Sequence, residues 1–150
     1  MAQLPPFQQA LEIHSDAVWG YLRGMVGAQA AEDCFQETFL AALRAYPRLR
    51  ESSNLRAWLL TIAHRKALDH CRRARREVAL ESGPELVATS EPERAIWSAV
   101  TLLPPRQRAA VMLRYAGDLT HRDIGAALDC SEEAARRSVH EGLKRLRETL

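Results

Sequence analysis

The stretch Asn54–Arg76, NLRAWLLTIAHRKALDHCRRARR, decides the fold. Its apolar residues Leu55, Leu59, Ala63, Ala67 and Cys71 recur every four positions, and Trp58 and Ile62 broaden the row. That spacing stacks them on one side of an α-helix. The opposite arc carries Thr61, His64, Arg65, Arg72 and Arg75. The stretch therefore predicts one long helix, seated by its apolar face and basic on the other, with arginines crowded at its end. Cations near a helix C-terminus also suit its dipole, so part of this charge serves the helix itself. A solvated basic face would account for this helix alone. The flanking segments shift the balance.

Upstream, RLRESSN (Arg48–Asn54) is polar and serine-rich and reads as a loop, with Asn54 well suited to cap the long helix. Before it, Ala30–Tyr46 predicts a helix with Cys34, Phe35, Phe39, Leu43 and Tyr46 inward and Glu32, Asp33, Gln36 and Glu37 outward, ended by Pro47. Phe7–Val26 predicts a first helix, with Gly27 as its stop. Downstream, EVALESGPELVATSE (Glu77–Glu91) turns acidic, holds Gly83–Pro84 and keeps no period, as a linker does. Pro92 suits the first turn of a helix carrying Ile96, Trp97, Val100 and Leu103. Pro104–Pro105 breaks that helix and opens another over Arg106–Ala116. Thr120–Leu128 begins with a T-x-x-D capping pattern, Asp129–Cys130 is a short turn, and Ser131 caps a last helix to about Thr149. Strand-like alternation is absent. The chain reads as all-α, two small helical domains (1–76 and 92–150) joined by a flexible acidic linker (77–91).

Helix 120–128, a tight turn and helix 132–149 have the dimensions of a helix-turn-helix. In the last helix Ala135, Val139, Leu143, Leu146 and Leu150 make the expected buried row. Arg136, His140, Lys144 and Arg147 form a basic row beside it. The row Glu133, Arg137, Glu141, Arg145 alternates in sign, which favours self-neutralisation by pairs four residues apart.

The net charge of the 150 residues is only +2, but residues 44–76 hold ten basic and two acidic side chains. Such a block suggests a local surface for a polyanion. Residues 1–43 hold one basic and five acidic side chains and suit a basic partner instead. Three cysteines without CxxC spacing and five dispersed histidines argue against a disulfide framework or a metal site, so no cofactor is expected. The N-terminus has no signal-peptide pattern and no apolar run approaches a membrane span, so the expected setting is the cytoplasm, with no membrane partner.

Three ordered blocks carry a family resemblance: AEDCFQETFLAALRAY (Ala31–Tyr46), NLRAWLLTIAHRKALDHCRR (Asn54–Arg73) and LPPRQRAAVMLRYAGDLTHRDIGAALDCS (Leu103–Ser131). With the ending GLKRLRETL (Gly142–Leu150), they resemble a bacterial RNA polymerase sigma factor of the extracytoplasmic-function (ECF) type, within the sigma-70 family. The resemblance implies that 1–76 is sigma region 2 and 92–150 is sigma region 4. It implies that Asp33, Gln36 and Glu37 bind core RNA polymerase at the clamp helices of its largest subunit. The loop and long helix would recognise and open the −10 promoter element, through Arg50, Ser52, Asn54, Arg56, His64, Arg65, Arg72 and Arg75. Trp58 falls on the apolar face and is expected to pack in the core. The helix-turn-helix would contact the −35 element through Ser131, Arg136, Arg137, His140 and Lys144, while its domain touches the flap of the second-largest subunit. An anti-sigma protein is a further partner that such a family membership suggests.

The chain also departs from its relatives. Many carry asparagine where Arg65 stands and an aromatic residue where Leu55 stands, and AARRSVHEGL (Ala134–Leu143) is less basic than the usual recognition helix. The −35 sequence therefore does not transfer from relatives. The function that follows is a transcription initiation factor with no catalysis of its own. A stand-alone helix-turn-helix regulator is the alternative, although it leaves the acidic and basic helices of the N-terminal half without a role. An enzyme is disfavoured by the lack of a phosphate loop, metal cluster or nucleophile constellation. One regulatory arrangement open to such a chain lays the acidic 77–93 stretch, with Glu77, Glu81 and Glu85, against the basic 54–76 face.

Overall fold

A computed structural model describes residues 4–50, 54–77 and 90–150. Every regular element among them is helical: α1 (Phe7–Val26), α2 (Ala28–Ala45), a 3-10 turn (Tyr46–Arg48), α3 (Leu55–Glu77), α4 (Glu91–Thr101), α5 (Pro105–Tyr115), α6 (His121–Leu128) and α7 (Glu132–Thr149). Glu77 and Glu91, the ends of the expected linker, belong to α3 and α4; residues 78–89 and Ser52 lie outside the described residues, and so does the arrangement that would set the linker on the basic face.

Helices α1, α2 and α3 pack mutually as one group. Val18, Tyr21, Leu22 and Met25 of α1 meet Ala31, Cys34, Phe39 and Ala42 of α2 and Leu59, Leu60, Ala63 and Ala67 of α3. Trp58 is half-buried and packs on this core, its ring 6.3 Å from that of Tyr46. Phe7 stands edge-on to Tyr46 at 5.3 Å and Phe35 lies 4.8 Å from Phe39, closing the bundle end with offset aromatic contacts. Helices α5, α6 and α7 form the second group, and α4 lies against α1 and α7.

The two groups share one continuous core. Helix α1 packs on α5, and α3 packs on α6. Gly20 and Gly24, one turn apart on α1, make the approach possible. A Cβ on Gly24 would come within 2.6 Å of Met112 Sδ, and one on Gly20 would lie 3.3 Å from Ala116 Cβ. Arg108 of α5 donates to Met25 O at 3.5 Å, and the Arg23 guanidinium stands 4.8 Å from the Trp97 ring centre. Helical groups this small have thin cores on their own. Here each covers the flank of the other.

The packing corrects several sequence expectations. Leu43 is 51% exposed rather than inward. The buried row of α2 runs through Ala31, Cys34, Thr38 and Ala42, and Leu43 sits about 100° past Ala42. Leu150 is 65% exposed because it stands at the far end of the 18-residue α7, which outruns the 11-residue α5 that covers it. His64 is buried against Tyr21 of α1, with its Nδ1 2.6 Å from the Tyr21 hydroxyl.

Candidate nucleic-acid interface

The outer side of α3 carries the cationic face. Arg65, Arg72, Arg75 and Arg76 lie along it, and Arg72 and Arg73 keep most of their side-chain surface in solvent. Arg72 pairs with Asp69 at 3.8 Å, and Arg73 reaches across to Glu37 of α2 at 3.8 Å. Glu37, Lys66, Asp69, Arg72, Arg73 and Arg76 line an open groove of about 500 Å³. Both ion pairs are solvent-exposed and worth at most about 1 kcal/mol each. These arginines can therefore exchange a carboxylate for a phosphate at little cost.

The start of α3 is organised differently. Asn54 Oδ1 accepts the Ala57 N–H at 3.2 Å and caps the helix, while its Nδ2 donates to Asp123 Oδ2 at 3.2 Å. Arg56 donates to Asp118 Oδ2 at 3.3 Å. Nine residues separate Arg56 from Arg65, about 180° around the helix. The residues that the family resemblance groups as −10 contacts thus divide: Arg65, Arg72 and Arg75 face outward, and Arg56 faces the helix-turn-helix group. Arg50 is exposed on the chain that leaves the 3-10 turn.

His64 does not belong to this surface, which corrects its placement among the −10 residues. Tyr21 Oη lies 2.6 Å from His64 Nδ1 inside the core. Burial, and then the neighbouring Arg65, pull the imidazole down to about 4, so it is neutral. Burial also holds the Tyr21 phenol protonated, raising it above its ordinary value. A protonated phenol and a neutral imidazole thus share one buried hydrogen bond, its donor set by which ring nitrogen carries the proton. His14 of α1 is likewise lowered, by burial and by Arg56.

The helix-turn-helix is built by caps and one close approach. Thr120 Oγ1 accepts the Asp123 N–H at 3.1 Å, and Ser131 Oγ accepts the Ala134 N–H at 3.0 Å. Asp129 takes the left-handed conformation (φ 57°), and Cys130 N–H returns to Gly125 O at 2.8 Å. A Cβ on Gly125 would meet Cys130 O at 2.7 Å, so only glycine admits the turn this close. Ala135, Val139 and Gly142 seat α7, while Arg136, Arg137, His140 and Lys144 are exposed. Arg136 pairs with Glu132 at 3.5 Å, and Glu141 instead accepts from Gln107 at 3.4 Å. Among the described residues Arg137 has no ion pair, so the alternating row does not neutralise itself as expected.

A third surface is the outer face of α2. Asp33 is exposed, and Glu37 lies beside Arg73 on the same side. Gln36 stands between them along the helix. Leu40 and Leu43 extend the same face and are 53% and 51% exposed. Sequence reading overlooked both leucines as surface residues. The signal was present: positions 33, 36, 40 and 43 continue one helical row. Among the described residues no group of His, Cys, Asp and Glu comes together to hold a metal, and no helix is long and apolar enough to cross a membrane.

The family model for Sigma-70 region 2 matches residues 11–77, and that for Sigma-70 region 4 matches residues 93–146. RNA polymerase sigma factor CarQ of Myxococcus xanthus is 33% identical over 154 residues, covering 96% of this chain and 88% of the relative. ECF RNA polymerase sigma factor BldN of Streptomyces coelicolor is 29% identical, and the alignment covers 93% of this chain but only 58% of the relative. Among solved structures, the sigma factor RpoE from Bartonella quintana, in complex with the anti-sigma factor NepR, shares the fold. Its TM-score is 0.87 at 24% identity over 95% of both chains.

Proposed function

Because the chain belongs to the ECF RNA polymerase sigma factors of the sigma-70 family, we propose a division of promoter work between its two helical groups. The family consists of transcription initiation factors that direct RNA polymerase to promoters, not of enzymes. Within that role, residues 1–76 act as region 2 and residues 92–150 as region 4, with 77–91 connecting them.

In region 2, Asp33, Gln36 and Glu37 dock on the clamp helices of the polymerase largest subunit, and Leu40 and Leu43 supply apolar contact beside them. Arg65, Arg72 and Arg75 follow the promoter backbone at the −10 element, where a cationic surface stabilises an opened strand. Arg50, Ser52, Asn54 and Arg56 contribute at the loop end of α3. In region 4, α7 enters the major groove of the −35 element with Arg136, Arg137, His140 and Lys144 directed at DNA. Ser131 keeps a hydroxyl proton to donate to phosphate while its oxygen caps the helix. The same domain meets the flap of the second-largest subunit. An anti-sigma protein is a further partner, and the cytoplasm is the site of action.

One observation carries this reading. An acidic, leucine-bearing face on α2 adjoins an arginine face on α3, and both are open to solvent at once with the recognition helix. A stand-alone DNA-binding regulator has no use for the first of these.

Core-polymerase binding followed by run-off transcription tests it, comparing the wild type with Asp33→Ala/Glu37→Ala. The expected result is stable core binding and a defined transcript, both lost in the double variant. A folded protein that shifts duplex DNA alone, yet neither binds core nor directs transcripts, would establish the stand-alone regulator instead.

A further inference from the structure

We propose that Glu133 reads a base of the −35 element: it accepts a hydrogen bond from the N4 amino group of a cytosine in the major groove. Arg137 takes the O6 and N7 of a guanine within about two base pairs of that cytosine. The proposal rests on the −35 role given to α7 above and names the bases which that role selects.

The packing of α7 decides which of its side chains point away from the protein. Ala135, Val139 and Gly142 form its buried seam. A Cβ on Gly142 would lie 2.6 Å from Val111 Cγ2 of α5, so the helix has no room to roll on its seat. At about 100° per residue, the row opposite that seam holds Glu133, Arg137, His140 and Lys144 within about 60° of one another. All four are exposed. A helix laid in the major groove turns such a row to the base edges, and its N-terminal residues make the contacts. Arg136 stands on one flank, held to Glu132 at 3.5 Å, and Glu141 on the other, accepting from Gln107 at 3.4 Å.

Glu133 is the odd member of that row. A carboxylate turned to phosphates weakens DNA binding, and the helix dipole already has Glu132 in the same first turn. Arg137, one turn on, does not neutralise it, since among the described residues neither side chain has an ion pair. Both are free to meet bases. In the major groove a carboxylate needs an amino donor, which only cytosine and adenine present. Adenine sets its N7 acceptor beside that donor and cytosine does not, so cytosine is the match. The arginine fork matches the two acceptors of guanine. Glu133 and Arg137 stand about 6 Å apart along the helix axis, against about 3.4 Å per base pair, which places their two contacts close together.

Holoenzyme assembled from core RNA polymerase and the full chain, selecting from a promoter pool randomised across both elements, tests this. The wild type should enrich a −35 motif with a cytosine and a guanine within about two base pairs. Glu133→Ala should lower the cytosine preference at least about fivefold and keep the rest of the motif. Glu133→Gln should exchange that preference for adenine, which an amide reads through N6 and N7. Glu133 is exposed, so both variants keep the fold. Arg137→Ala should flatten the guanine position alone, and a guanine preference that survives removes Arg137 from the pair. A wild-type −35 motif without the cytosine, or one unchanged by Glu133→Ala, overturns the proposal. So does a uniform weakening at every position, which would make Glu133 a support of the helix rather than a reader of bases. A wild-type holoenzyme that enriches a −10 motif and no −35 motif overturns the −35 role of α7 itself, and the proposal with it.

Discussion

Tyr21 Oη on α1 and His64 Nδ1 on α3 share a hydrogen bond of 2.6 Å, and the two side chains meet in the core from positions 43 residues apart in sequence. Burial, and then the neighbouring Arg65, favour the neutral imidazole, so protonation works against the fold. In the unfolded chain this histidine titrates near 6.5, and in the folded protein only near 4. Between those values the unfolded state binds more protons. The contribution of His64 is therefore complete above pH 6.5 and is lost as the pH falls toward 4. His14 is lowered too and acts in the same direction. Urea melts at pH 7 and pH 5 should show the wild type losing about 2 kcal/mol more than His64→Gln. An identical pH dependence in the two proteins would exclude His64 as the titrating group.

Tyr21→Phe removes the hydroxyl and keeps the ring. His64 Nδ1 is then buried without its partner, which should cost about 1–3 kcal/mol at pH 7. Thermal melts measure it, and a change below the noise would mean that the site admits water.

Gly125 stands against main chain rather than side chain: a Cβ added there would lie 2.7 Å from Cys130 O and 3.1 Å from Ser131 C. Backbone cannot swing aside. Gly125→Ala should destabilise by about 2–3 kcal/mol and loosen the angle between α6 and α7. Calorimetry reads the first effect, and loss of −35 duplex binding reads the second.

Leu40 and Leu43 are exposed on α2, so Leu40→Ser and Leu43→Ser should leave stability within about 0.5 kcal/mol. Core-polymerase affinity should fall at least tenfold if these side chains sit in the docking interface. A titration with labelled core polymerase checks this, and undiminished affinity would remove the leucines from that surface.

Arg65, Arg72 and Arg75 project outward from α3, away from the core that seats it. Replacing each by alanine should weaken promoter binding by the holoenzyme and lower the slope of log K against log salt by about one per phosphate contact removed. A residue whose replacement leaves the slope unchanged does not touch phosphate.

Much of this molecule is legible in the chain alone. The long helix after Asn54, the caps at Thr120 and Ser131 and the turn at Asp129–Cys130 all stand where spacing and residue type put them. The helix-turn-helix and the basic row on α7 are readable for the same reason. Less legible are the sides on which residues are covered. Leu43 looks inward from its spacing and is exposed, and His64 looks outward and is buried. Arg56 and Arg65, grouped as −10 contacts by the family resemblance, lie on opposite sides of α3. Leu40 goes unnoticed in the sequence although it extends the Asp33 row.

Periodicity and residue type were enough for the all-helical class, the positions of the caps and turns, and the uneven distribution of charge. Those features depend on bonds that close within a turn, so neighbours along the chain suffice to specify them. Tertiary packing alone brought α1 to α5 through Gly20 and Gly24, set α3 on α6, and placed Asn54 and Arg56 against aspartates more than sixty residues away. Which flank of a helix is covered depends on the shape of a distant partner. A local pattern carries the face, but not what comes to rest upon it.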